Sequence, residues 1–101
     1  MFDESLILIN LLKATPGKQD ALIALLKQNI DTVVRTLQGW KMTRLVAAQD
    51  GTGVVIYSEW ESPAAVEAMR SDPRMKAYIP KLRDLASLDS IVGRAVLSES
   101  R

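Results

Sequence analysis

Residues 5–13 (SLILINLLK) form an almost unbroken apolar run, interrupted by a single polar residue, Asn10. Such a run fits a strand covered on both faces. Thr15-Pro16-Gly17 ends it, and the period then changes. Leu22, Leu25, Leu26, Ile30, Val33, Val34 and Leu37 recur at helical spacing, while Lys18, Asp20, Lys27, Gln28, Asp31 and Arg35 fall mostly on the other side. The spacing predicts an amphipathic helix of about five turns, with Gly39 where a left-handed cap is expected.

Residues 40–49 read as a second strand, with Trp40, Met42, Arg44 and Val46 on one face and Lys41, Thr43, Leu45 and Ala47 on the other. Asp50-Gly51-Thr52-Gly53 is a hairpin turn into a third strand, residues 54–61. Ser62-Pro63 combines a capping side chain with proline at the first helical position, which predicts a short helix over 64–70. Asp72-Pro73 repeats that signal before a helix with Met75, Ile79, Leu82 and Leu85 inward. Pro80 is expected to kink or restart it. Residues 88–97 read as the last strand, followed by a frayed tail. The order β-α-β-β-α-β predicts an α+β, ferredoxin-like protomer with a four-stranded antiparallel sheet. With no repeat or linker evident, residues 1–101 are read as one domain with its core at about 5–97.

The strands are apolar on both faces. Ile7, Ile9 and Leu11 alternate against Leu6, Leu8 and Leu12, and Val55 and Tyr57 against Val54, Ile56 and Trp60. Helices cover one face of such a sheet, so the other would leave a large apolar patch in water. A homodimer packed through the sheet faces is therefore expected.

Composition narrows the chemistry. The 101 residues include no cysteine and no histidine, and 13 Lys plus Arg against 12 Asp plus Glu give a net charge of +1. No disulfide, thiolate metal site, imidazole ligand or histidine base is available. The even charge, without a basic run, argues against nucleic acid as a partner. No apolar stretch is long enough to span a membrane, and Met1-Phe2-Asp3-Glu4-Ser5 lacks the look of a secretory leader. A cytoplasmic protein is the expectation.

Candidate site residues follow from exceptions to the pattern. Asn10 is an amide in an apolar strand and needs partners. Trp60, near the end of the third strand, offers a large apolar body and one donor. The alternation puts both on the sheet face that meets the helices. There they suit a flat, oxygen-bearing aromatic ligand, or simply an ordinary core. Met42 and Arg44 share a face and are candidate substrate-binding residues at a pocket rim. Arg44 either attracts an anionic ligand or pairs with a surface carboxylate. Tyr78, beside Pro80, is a candidate pocket lid.

Together, the element order, Asn10, the Pro16-Gly17 turn, Gly39-Trp40 and Trp60-Glu61-Ser62 resemble the antibiotic biosynthesis monooxygenase family over roughly residues 5–97. The resemblance implies a dimeric α/β barrel. It also implies a cofactor-independent monooxygenase that oxidises quinols or anthrones with O2, with Asn10 and Trp60 as catalytic candidates. No cofactor and no metal are then expected. Another branch of the family degrades haem through a histidine ligand that this chain lacks. The alternative is a non-catalytic small-molecule-binding or stress-response barrel.

Overall fold

The computed structural model describes residues 5–101, and the reading of residues 1–4 lies outside them. Four strands alternate with helices: β1 (Leu6–Ala14), α1 (Gln19–Thr32), β2 (Trp40–Ala47), β3 (Gly53–Trp60), α2 (Pro63–Ser71), α3 (Pro73–Arg83) and β4 (Ala86–Gly93). All pairings are antiparallel, in the order β2-β3-β1-β4. This is the ferredoxin-like α+β arrangement. None of the helices of the described residues is long and apolar enough to cross a membrane.

The period of two divides the sheet. Leu8 and Leu12 of β1, Val54 and Trp60 of β3 and Ala86 of β4 turn toward the helices and are buried. They meet Leu22 and Leu26 of α1, Val66 and Met69 of α2, and Met75, Tyr78 and Leu82 of α3 in one core. Register places Ile7, Ile9 and Leu11 beside Glu59, Tyr57 and Val55 on the opposite, uncovered face. Leu11, Val46 and Ile91 there are exposed.

Four local departures from the sequence pattern have physical causes. The first helix stops at Thr32, and a 3-10 turn over Val34–Thr36 continues the apolar face to Leu37. Gly39 has φ +87° but lies two residues beyond an extended Leu37, so it turns the chain into β2 rather than capping α1. Pro80 neither ends nor restarts a helix, and α3 runs through it. Its ring lies on the exposed side, where water can serve the carbonyl that loses its partner. Finally, β4 begins at Ala86 and ends at Gly93, leaving Val96 and Leu97 exposed beyond the sheet.

The two-part helical segment is set by its caps. The Ser62 side chain accepts from the Ala65 N–H at 3.2 Å, and Asp72 accepts from the Arg74 N–H at 2.8 Å. Each cap precedes a proline at the first turn. The two caps split one stretch of apolar periodicity into α2 and α3.

Candidate active site

Between the sheet and the helices lies a cavity of about 150 Å3. Leu8, Leu26, Ile30, Ile56, Leu82 and Leu88 give it apolar walls. Its polar lining is Asn10, Asn29, Thr43, Ser58, Trp60, Arg70, Tyr78 and Ser90. Three of the five residues expected at a site therefore meet there: Asn10, Trp60 and Tyr78.

Asn10 comes from the middle of β1, directly between Ile56 of β3 and Ser90 of β4. The Ser90 hydroxyl donates to the Asn10 carboxamide oxygen at 2.5 Å. The Asn10 NH2 group has no partner among the described residues. Asn10 is half-buried and Ser90 exposed, so the pair sits at the open end of the cavity.

Trp60 lies deeper and is 2% exposed. Its indole N–H donates to the Ser58 hydroxyl at 3.1 Å, and that hydroxyl donates to the Leu8 carbonyl at 3.3 Å. Residues 58 and 60 share a strand face, which makes this bond local. The indole is thus a wall of the cavity, and its one donor is already engaged.

Tyr78 is buried in the α3 face of the cavity rather than poised over it as a lid. Burial pushes its phenol up to about 12, so the hydroxyl stays protonated through the neutral range. No hydrogen bond engages that hydroxyl within the described residues.

Met42 and Arg44 do not reach the cavity. They pair with Glu59 and Tyr57 on the uncovered face of the sheet. The cause is a bulge at the start of β2, where the register steps from Trp40↔Trp60 to Met42↔Glu59. One extra residue moves every later side chain to the other face. Trp40 therefore stands with Thr43, to whose hydroxyl its indole donates at 2.8 Å, and Thr43 rather than Met42 lines the cavity.

Sequence reasoning passed over Asn29 and Ser90. Asn29 was findable: it falls three residues after Leu26 and seven after Leu22, within the buried stripe of α1. Ser90 was not, because only the β1–β4 register brings it to Asn10. Among the described residues no three acidic side chains gather where a metal ion would sit.

An α+β sheet with helices on one face, and an amide-bearing cavity between them, defines a class of small ferredoxin-like pocket protein. The family model described as antibiotic biosynthesis monooxygenase matches residues 5–81, and the chain belongs to that family. A curated relative, the tetracenomycin-F1 monooxygenase of Streptomyces glaucescens, is 30% identical over 79 residues, 78% of this chain and 70% of its own. The fold is also that of SnoaB, a cofactor-independent oxygenase from Streptomyces nogalater. That likeness has a TM-score of 0.84 at 15% identity, covering 93% of this chain and 95% of SnoaB. The ActVA-Orf6 monooxygenase of Streptomyces coelicolor, solved with nanaomycin D, superposes with a TM-score of 0.85 at 21% identity, covering 96% of this chain and 92% of its own.

Proposed function

We propose that the chain is a cofactor-independent monooxygenase that oxidises an electron-rich aromatic, a quinol or an anthrone, with O2. The observation that carries this reading is the unpartnered Asn10 NH2 group at the open end of an apolar cavity walled by Trp60. The family and the named relatives support the same class.

The chemistry asks little of the protein. A deprotonated phenol or anthrone passes one electron to O2, and the two radicals combine at the ring carbon as a hydroperoxide. For an anthrone, loss of water leaves a carbonyl, CH2 and O2 becoming C=O and H2O; for a quinol, whose ring carbon already bears oxygen, loss of H2O2 leaves the quinone. Asn10 donates to the substrate oxyanion, an interaction worth about 3 kcal/mol in comparable sites. The apolar walls exclude water from the anion and its radical. Tyr78 stays neutral and is available as a donor. The substrate proton leaves through water at the open end, since no histidine exists to take it. The working unit in this reading is a homodimer joined through the uncovered sheet faces, which would bury Ile9, Tyr57 and Ile91.

Oxygen uptake by metal-free protein, measured against a panel of dihydroxynaphthalenes and anthrones, tests the proposal. Acceleration over the uncatalysed rate is expected, with Asn10→Ala lowering it at least tenfold, about 1.4 kcal/mol. No acceleration with any member of the panel would end it.

A further inference from the structure

Asn29 is the buried polar residue that the helical layer contributes, and it lies across the cavity from the sheet that carries Asn10. It is 8% exposed. Its NH2 group donates to the Met75 sulfur at 3.5 Å. A thioether accepts hydrogen bonds and cannot donate them, so the nitrogen end of the carboxamide faces Met75 and the oxygen end faces away. That oxygen meets no donor among the described residues. Among the described residues no enclosed side-chain polar atom is left without a partner, so the oxygen retains an opening, and Asn29 borders both this cavity and an outer hollow beside Arg74 and Lys81.

The two amides thus differ in what they leave free. Asn10 has spent its oxygen on Ser90 and offers N–H donors. Asn29 has spent its nitrogen on Met75 and offers an acceptor. A ligand that satisfies both needs an oxygen that accepts and a hydroxyl that donates. A quinol, or its monoanion, carries both. A quinone carries two acceptors and would set a carbonyl against the Asn29 oxygen.

We propose that Asn29 is a second substrate-binding residue, whose carboxamide oxygen accepts a hydrogen bond from a substrate hydroxyl and so makes the site prefer the reduced quinol over the oxidised quinone. This rests on the monooxygenase reading and adds to it a means of product release. Oxidation of the quinol by O2, which leaves as H2O2, removes the hydroxyl hydrogen that Asn29 holds, and the buried acceptor then opposes the quinone.

The test is equilibrium binding without oxygen, by calorimetry, with 1,4-dihydroxynaphthalene and 1,4-naphthoquinone as probes. The chain has no cysteine for the quinone to alkylate. Wild-type protein should bind the quinol about tenfold more tightly than the quinone. Asn29→Leu should bring the two within about twofold, and Asn29→Asp, which keeps an acceptor, should retain the preference. Equal binding by the wild type overturns the role of Asn29 while leaving the cavity reading in place, and needs no variant to fold. Persistence of the tenfold preference in Asn29→Leu also overturns it. Failure of both probes to bind removes this inference and the aromatic-substrate reading together. A chain that shows the preference but consumes no oxygen supports Asn29 and removes only the oxygenase chemistry.

Discussion

Ser90 holds Asn10 by a hydrogen bond across the β1–β4 pair, hydroxyl to carboxamide oxygen at 2.5 Å. A free carboxamide can present either end to a ligand. With its oxygen engaged by Ser90, Asn10 presents its N–H groups. Ser90 is therefore a positioning residue. Ser90→Ala should lower kcat at least about twofold with KM changed much less, because the amide then divides its time between two orientations. Ser90→Thr, which keeps the hydroxyl, should restore most of the rate. Steady-state oxygen uptake across the three proteins decides the matter, and a wild-type kcat in Ser90→Ala would contradict it.

The Trp60–Ser58 bond separates two roles for the indole. Because its N–H already serves Ser58, Trp60→Phe keeps the wall and loses an internal bond. Stability should fall by about 1–3 kcal/mol in urea melts, with kcat within about threefold of wild type. Trp60→Ala should cost about 3–5 kcal/mol through the cavity it opens. A large loss of kcat in a well-folded Trp60→Phe protein would mean that the N–H is used in the reaction.

How much of this was legible in the sequence follows from which physical signals are local. Period two in β1 and β3 and period 3.6 in α1 placed Asn10 and Trp60 on the helix-facing side, and the two Ser/Asp-Pro caps placed α2 and α3. Met42 and Arg44 went to the wrong face because a bulge carries no period of its own: residues 40–47 alternate cleanly in sequence whether or not Lys41 is looped out. Tyr78 was linked to Pro80 as a break, yet the exposed proline leaves α3 whole and its tyrosine in the wall. Ser90 depended on a pairing between residues 80 positions apart, which no local pattern encodes.

Gly39 and Gly17 provide a controlled pair. Both have positive φ, +87° and +79°, where a side chain is strained. A Cβ on Gly17 would meet open space, whereas one on Gly39 would stand 2.5 Å from the Ala65 Cβ at the start of α2. Gly17→Ala should cost about 1 kcal/mol from backbone strain alone. Gly39→Ala should cost about 3 kcal/mol or more, since overpacking is added. Thermal melts of the two variants measure the difference, and equal losses would refute the close approach.

The uncovered sheet face predicts an association equilibrium. Ile91 is 60% exposed beside Ile9, with Tyr57 on the next strand. Placing a charge there should oppose burial of the face far more than it disturbs the monomer. Sedimentation of the wild type should give a dimer, and Ile91→Glu should shift it toward monomer with little change in the far-ultraviolet circular dichroism. A monomeric wild type at micromolar concentration would leave the sheet-to-sheet dimer without support.

Burial of Tyr78 predicts a loss of stability in alkali. The phenol ionises near its ordinary value of 10.0 in the unfolded chain and only at about 12 in the fold. Between those values the folded state holds a proton that the unfolded state has released, so unfolding becomes easier as pH rises. The contribution is fully present below pH 10 and gone above pH 12, amounting to about 3 kcal/mol at most. Lysines titrate in the same window, so the comparison must be with Tyr78→Phe, which keeps the ring and loses only the ionisable hydroxyl. Urea melts from pH 8 to 11 should show wild type losing stability relative to Tyr78→Phe above pH 10. Parallel curves would mean that the Tyr78 hydroxyl is solvated through the cavity rather than buried in its wall.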